Sequence, residues 1–380
     1  MSFVPESSPP DPSTWHSRFA PQPAPIRTTL VQAIGLALLS WLPIQVWALS
    51  QGRLLPGRVS EPLLHHSGIP VLCLVAIPLL VLGEPFCQRV FWQLLPQFPA
   101  QGILDGAQVS RFDLILTRMA RLRDHPLVLV GIGVATALIT MTPPGKDALS
   151  WAREGLPSLG FGGLWFVWVA RPIYGALLLR WCWRLLVVTL LFVAVCRLGL
   201  QLVPNHPDRS MGLGFLELLP EAFAPMALAM SSVACAFWTH QLLHHDRELM
   251  QLRLPFLVFV CAVTLLLLAP LLVFVPPMLR ARRRALLDYG ALVAAHGRLV
   301  HRRWIEAAPV ESSALLEAPE LGPSVDVGSL YQAVWMARRS PISRLVLVKV
   351  LLPLLLPAVL GLTSRFPLSE MLLNVGKALL

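Results

Sequence analysis

Long, uncharged apolar runs constrain this chain more than any other feature. The longest begins at Leu254 and reaches Leu279 without one acidic or basic side chain. A helix of about 20 apolar residues crosses a hydrocarbon core of about 30 Å. Because hydrocarbon offers backbone groups no hydrogen-bond partner, and because the runs are continuous rather than alternating, they are predicted to be transmembrane helices and not barrel strands.

Composition supports this interpretation and narrows the class of protein. Hydrophobic residues make up 55% of the chain and charged residues 14%, which lies outside the usual range of soluble domains. The net charge of +10 is concentrated between the apolar runs, in the positive-inside pattern. We therefore expect an all-α, polytopic membrane bundle with about seven transmembrane helices. Nucleic acid is not an expected partner, because the polar segments lack a basic patch interleaved with aromatic residues.

Seven spans are predicted from the positions of the apolar runs. They cover about 29–49, 69–90, 126–142, 176–197, 220–243, 254–279 and 345–362. The third is short and glycine-rich, which suggests close packing against a neighbouring helix. The fourth belongs to a longer stretch, 158–201, that could be one helix or a hairpin broken at Arg171-Pro172. We favour one helix with a tryptophan-rich interfacial lead-in.

Charge asymmetry predicts how the chain is divided and oriented. The sequence RARRR, which ends at Arg284, begins a basic segment that we assign to the cytoplasm. Its apolar spacing is helical, so it is expected to prolong the sixth helix, followed by a short helix at about 327–338. Composition is typical of a bacterial inner-membrane protein, whose N-terminus would also be cytoplasmic. The predicted regions are a disordered Pro-rich tail (1–28), six spans with their loops (29–279), a cytoplasmic helical region (280–342), and the last span with a C-terminal tail (343–380).

Charged residues inside the predicted spans indicate function, because an ionised side chain in hydrocarbon is unfavourable unless it meets water or a partner. Arg180 and Arg184 lie one helical turn apart on the fourth helix, Glu84 lies in the second, and Lys349 lies in the last. If the three cations face one cavity, its lining suits anions. If they lie near helix ends, they reach lipid phosphates instead. Arg184 is also a candidate partner for Glu84.

A shaped turn, PNHPDRSMGLGFL, separates the fourth and fifth spans. Its prolines and glycines prevent a continuous helix and hold His206, Asp208 and Arg209 at the membrane surface. This cluster could bind a lipid headgroup, a metal or an anion. Alternatively, it is a rigid corner in which Asp208 caps the next helix and Arg209 meets phosphates.

The same turn resembles a feature of a group of uncharacterised bacterial multi-pass inner-membrane proteins. Their pattern is Pro-x-His-Pro-Asp-x-x-Gly-Gly-Leu-Gly-Phe-Leu, and the segment from His206 to Leu216 is similar to it, with Met211 in place of the first glycine. Further similarity occurs at RARRRALLDYGAL and before the last helix. The resemblance implies a membrane topology, and no known activity comes with it.

A histidine-rich segment, HQLLHHD, ends the fifth predicted span. His240 and His244 share a helix face at the spacing of two ligands to one metal, and His245 and Asp246 are adjacent. The segment resembles the histidine boxes of membrane di-iron enzymes, which need about eight histidines in three boxes. We favour an interfacial histidine-rich rim over a metal site, and no cofactor is expected.

Three function classes remain open at this stage. We favour an oligomeric channel or passive transporter, with anion passage suggested by the intramembrane cations. The alternatives are a membrane-embedded metal- or His/Asp-dependent enzyme acting on lipid, and a sensor or scaffold whose basic helix binds anionic lipid. A homo-oligomer is expected because the cytoplasmic helical region offers a surface for association. Motifs of soluble enzymes, such as a Walker loop or G-x-S-x-G, are missing from the sequence.

Overall fold

The computed structural model describes residues 25–54, 63, 66–142, 149, 151–152, 159–244, 249–306 and 324–363. Most of the predicted N-terminal tail and the C-terminal tail lie outside these residues. The described chain forms ten helices or helical runs, besides a 3-10 helix at Gly214–Leu218, and contains no strand. These are α1 (Ile26–Ser50), α2 (Gly68–Ala100), α3 (Gly106–Arg123), α4 (Pro126–Met141), α5 (Phe161–Cys196), α6 (Leu219–His244), α7 (Leu249–Leu272), α8 (Val275–Trp304), α9 (Ser324–Met336) and α10 (Arg344–Thr363).

Six of these helical runs are long and apolar enough to cross a membrane, and α3 with α4 forms a possible seventh span bent by 41°. The prediction of an all-α polytopic bundle with about seven spans is confirmed. The long fourth segment is one continuous helix, as favoured from the sequence, and not a hairpin.

The third span differs from its prediction. α4 has 16 residues and does not qualify as a span by itself, so a crossing requires α3 as well. α3 starts beside the end of α5, where the Gln108 side chain donates to the carbonyls of Leu198 and Gly199 at 3.0 and 3.1 Å. α4 ends beside Arg171 of α5, whose side chain donates to the Thr142 carbonyl at 2.8 Å. The bent pair therefore runs antiparallel along α5.

The glycines of α4 do not support the predicted close packing. A side-chain carbon added at Gly131 or Gly133 would meet no described atom within 4 Å. α4 instead buries Thr136 and Thr140 and leaves most of its apolar side chains exposed. Much of its surface is therefore available to lipid.

Two wide helical turns show how α2 and α5 accommodate proline. Val71–Ala76 and Phe166–Ala170 are π-helical, and each lies just before a proline, Pro78 or Pro172. A proline donates no backbone hydrogen bond, and its ring clashes with the carbonyl four residues earlier. A wider turn accommodates that mismatch, so both helices continue through it.

The sixth predicted span also ends earlier than expected. α7 stops at Leu272, and a turn at residues 273–274 precedes α8. Pro276 and Pro277 occupy the first turn of α8, where missing amide donors are tolerated. The basic segment is therefore a separate helix and does not prolong the sixth span. Its Arg282 donates to the carbonyls of Trp335 and Ala337 at 2.7 and 3.0 Å, which attaches α8 to α9 and the residue that follows it.

The core lies around α5 and α6. α6 packs against α2 and α10, while α5 packs against α3, α4 and α7. Aromatic rings fill the end of the bundle that carries the turn PNHPDRSMGLGFL (204–216), hereafter the HPD turn. Phe98 contacts Phe215, Phe192 and Phe274 there, with ring centroids 4.9 to 6.3 Å apart. Outward-facing leucines and valines remain exposed on α1, α7 and α10. Exposed apolar surface of this extent is expected on a helix bundle surrounded by lipid.

Gly83 permits close contact of α2 with α5 and α6. A side-chain carbon at this position would lie 2.5 Å from Pro225 and 3.0 Å from Trp181. We expect Gly83→Ala to lower the free energy of unfolding by about 1 to 3 kcal/mol through overpacking. Thermal unfolding in detergent measures the effect. Gly35→Ala is the matched control, because its added carbon meets no described atom within 4 Å, and equal unfolding of both variants would contradict this account.

Candidate functional site

A cluster of charges joins α2 to α5 inside the bundle. Arg184 and Arg180 of α5 both reach the same carboxylate oxygen of Glu84 on α2, at 2.7 and 2.8 Å. The Arg184–Glu84 pair expected from the sequence is thus present, and Arg180 joins it. Successive turns of a helix place residues four apart on one face, which is why both arginines meet one acid.

The two arginines differ in exposure. The Arg184 side chain is 13% exposed and its guanidinium lies 5.4 Å from the Trp181 ring centroid. The Arg180 side chain is 56% exposed. Arg184 is therefore held as part of the structure by a carboxylate and an aromatic ring. Arg180 remains accessible to a ligand.

The bend between α3 and α4 adds a second ion pair to this region. Arg123 makes a two-pronged contact with Asp124, with N···O distances of 2.9 and 2.6 Å. Both residues line a cavity of about 360 Å³ together with Arg180, Arg184 and Glu84. Gln88 also lines it. Three arginines against two carboxylates leave one excess positive charge, so the cavity favours an anion.

The cavity lies far from both positions at which α3 and α4 are attached to α5. At about 1.5 Å per helical residue, Arg184 is about 18 Å from Cys196 and about 20 Å from Arg171. Because α3 and α4 contact α5 near those two residues, their bend faces the stretch of α5 between them. A polar cavity at such a depth in a membrane bundle needs water or a polar ligand.

The outer face of α3 also carries positively charged side chains. Val109, Phe112 and Leu116 are buried, whereas Arg111, Arg118 and Arg121 are exposed on the opposite side. The three exposed arginines recur at helical spacing and form one stripe. This stripe extends along α3 towards the bend.

Lys349 lies elsewhere and does not share the cavity. Its ammonium group contacts the Glu221 carboxylate at 2.6 Å and donates to the Glu217 carbonyl at 3.0 Å. Arg338 pairs with the Glu217 side chain at 2.7 Å. These contacts join the start of α6 to α10 and to the residues before it. A single cavity formed by Arg180, Arg184 and Lys349, one of the arrangements considered from the sequence, is therefore absent from these described residues.

The HPD turn is organised around Asp208. Its carboxylate accepts backbone hydrogen bonds from Ser210, Gly212 and Gly214 at 2.7, 3.2 and 2.8 Å. His206 Nδ1 lies 2.9 Å from Asp208 Oδ1. The pKa of Asp208 is lowered: burial acts to raise it, but the three backbone N–H groups and the His206 contact outweigh burial.

Met211 and Arg209 adopt left-handed backbone conformations, with φ of 61° and 56°. Met211 occupies the position of the first glycine in the resembling group, so that glycine would fit this conformation without steric cost. The Met211 side chain is fully buried, and its burial compensates for the backbone strain. The Arg209 carbonyl accepts from the Arg338 amide at 2.7 Å, so the turn also contacts the α9–α10 connection.

The histidine segment is described only in part. His240 is buried on α6, and its ring lies 4.3 Å from that of His66. α6 ends at His244, while His245 and Asp246 lie outside the described residues. In the part of the chain that is described, no group of three or more His, Cys, Asp or Glu side chains is arranged to hold a metal ion.

The cavity between α2, α5 and the α3–α4 bend is thus the best-defined candidate site. No family model, curated protein or solved structure matches the chain. Function has to be inferred from the geometry of the cavity itself.

Sequence reasoning missed Arg123, Asp124 and Gln88 as residues of the cavity. The first two belong to the polar sequence RLRDHP (121–126), which leads into the third predicted span. The sequence signal for their position was the third apolar run, which is too short to cross a membrane by itself. It indicated that the crossing needed a second helix, and thus that the polar junction lay within the span.

Glu84 is expected to stabilise the bundle by neutralising two neighbouring cations. Glu84→Gln leaves Arg180 and Arg184 facing each other without a carboxylate. Because Glu84 is 29% exposed, we expect a loss of about 1 to 3 kcal/mol, below the range of about 3 to 5 for a fully buried pair. Denaturant unfolding in detergent measures it. Asp124→Asn serves as control: this carboxylate is 65% exposed, so its loss should cost less than about 1 kcal/mol.

The lowered pKa of Asp208 predicts acid sensitivity of the HPD turn. Because the folded pKa lies below the unfolded value of 3.8, the stabilisation is complete above that value and is lost as pH falls through the folded pKa. Asp208→Asn should therefore unfold at lower temperature than the wild-type protein at pH 7. The difference should shrink below pH 3.8, as measured by thermal unfolding in detergent at several pH values. A difference independent of pH would contradict the role of the carboxylate charge.

Proposed function

We propose that this membrane protein is a passive transporter or channel for anions, with the Arg180–Arg184–Glu84 cavity as its selectivity site. The observation that carries the proposal is a polar cavity, with an excess positive charge, in the middle of an otherwise apolar bundle. Charges at such a position are unfavourable unless they have a functional or pairing role. Glu84 and Asp124 offset two of the three arginine charges, and the Arg180 side chain stays exposed to a ligand although it contacts Glu84.

The net charge of the cavity favours passage of an anion over its tight retention. Glu84 offsets part of the attraction of the two arginines, since it lies within 2.8 Å of both. A permeation site has to bind its ion strongly enough to admit it and weakly enough to release it. One excess positive charge, rather than three, meets this requirement.

The arginine stripe on α3 supports an assembly of several copies. Arg111, Arg118 and Arg121 are exposed on the described chain, although α3 runs beside the apolar α5. Exposure of three guanidinium groups to hydrocarbon is costly, so we infer that this face meets water or another copy of the chain. In a homo-oligomer whose α3 helices surround a common aqueous space, this face would contact water and neighbouring copies of the chain.

The orientation that we propose follows the basic residues. The arginines of α8 belong to the end of the bundle where α9 and the HPD turn meet the α9–α10 connection. We assign that end to the cytoplasm of a bacterial inner membrane by the positive-inside rule. Anionic lipids on the cytoplasmic leaflet are the proposed partners of α8.

Flux measurements on purified protein in liposomes test the transport proposal. We expect chloride flux to exceed potassium flux. Arg180→Gln should reduce chloride flux by at least about tenfold. A tenfold reduction corresponds to about 1.4 kcal/mol. That is only part of the Coulomb energy of about 4 kcal/mol for two charges about 4 Å apart at the protein surface.

Matched variants make this test specific to the cavity. Arg283→Gln removes an exposed arginine of α8, far along the chain from the cavity residues, and should leave chloride flux unchanged. Arg180→Lys keeps the charge and should retain most of the flux. Potassium preference, or no flux from correctly folded protein, would overturn the proposal.

A further inference from the structure

The polar cavity adjoins an apolar groove between α4 and α5. The groove has a volume of about 720 Å³ and is lined mainly by aliphatic and aromatic side chains. Val128, Ile132 and Trp183 line both the groove and the cavity. The two spaces therefore meet, one charged and the other apolar.

Small residues on α4 create the groove. Gly131 and Ala135 face it, and a side-chain carbon added at Gly131 would meet no described atom within 4 Å. α4 approaches α5 more closely further along, where Thr136 lies near Gly175. The space beside Gly131 is thus bounded by Leu179 and Leu186 of α5.

We propose that this composite site binds one anionic phospholipid, with the phosphate at Arg180 and an acyl chain in the groove. The proposal rests on the proposed anion selectivity of the cavity and names its substrate class as a phosphate diester attached to an apolar chain. A phosphodiester carries one negative charge, which matches the single excess positive charge of the cavity. A small inorganic anion would leave the adjoining groove unused.

The sizes of the two spaces favour a lipid headgroup. A cavity of about 360 Å³ exceeds the space of a bare phosphate. It equals about twelve times the volume of about 30 Å³ that one water molecule occupies in the liquid. Glycerol oxygens next to the phosphate would find Gln88 as a hydrogen-bonding side chain. The apolar groove then removes part of the acyl chain from the surrounding lipid or detergent.

Native mass spectrometry of the full-length protein in detergent tests this site. The probes are phosphatidylglycerol, phosphatidylcholine with the same chains, and inorganic phosphate. We expect one phosphatidylglycerol per chain, bound at least about tenfold more tightly than phosphatidylcholine. Inorganic phosphate, without a chain to fill the groove, should compete weakly.

Two glycine variants separate the groove from the rest of α4. Gly131→Leu should fill the groove without touching the charges, and reduce phosphatidylglycerol binding by about tenfold. Gly133→Leu makes the same change two residues along, at a position outside the groove lining, with no described atom within 4 Å. It should leave binding unchanged. Since both raise helix propensity equally, a general effect on α4 would appear in both.

The outcomes distinguish this proposal from the transport proposal. Equal binding of the two phospholipids, or identical binding by the two leucine variants, would overturn the lipid site even if Arg180→Gln still reduced chloride flux. Conversely, selective phosphatidylglycerol binding that Gly131→Leu abolishes would establish the lipid site. If chloride flux were then absent, only the proposed transport of small anions would be rejected.

Discussion

The attachment of one carboxylate to two arginines sets the arrangement of this bundle. Glu84 comes from α2, whereas Arg180 and Arg184 come from α5, so their contact fixes the height at which the two helices meet. Gly83, the residue before Glu84, lies against Pro225 of α6 and Trp181 of α5, so α2 approaches both helices closely beside this contact. The charge cluster and this close helix packing are therefore adjacent in sequence. A shift of either helix by one turn would break both.

The bent span gives this cluster access to a ligand. A straight apolar helix beside Arg180 would cover it with hydrocarbon side chains. The break at Asp124 and His125 instead brings the N-terminal end of α4 and an ion pair to that position. The protein thus places an interrupted span, α3 with α4, beside the continuous helix α5, and the interruption leaves the cavity.

How far the sequence predicts this structure depends on the range of each interaction. Continuous apolar runs identify the spans because hydrocarbon acts on each run independently. The pairing of Glu84 with Arg184 was foreseeable for a similar reason, since an isolated charge in a span requires an opposite one. The separation of Lys349 from the arginines was not, because it depends on α6 placing Glu221 next to α10. The roles of Arg123 and Asp124 were missed because their local sequence is typical of a membrane boundary, and only the packing of α3 on α5 moves them inward.

The two halves of the bent span are anchored unequally. α3 inserts Val109, Phe112 and Leu116 into the core, whereas α4 buries only two threonines. Lateral displacement of α4 about the residues between the helices would therefore disturb little of the interior. Because α4 borders both the charged cavity and the apolar groove, such a displacement would widen or narrow the two together. Entry of a ligand from the bilayer and entry from water would then both depend on the position of α4.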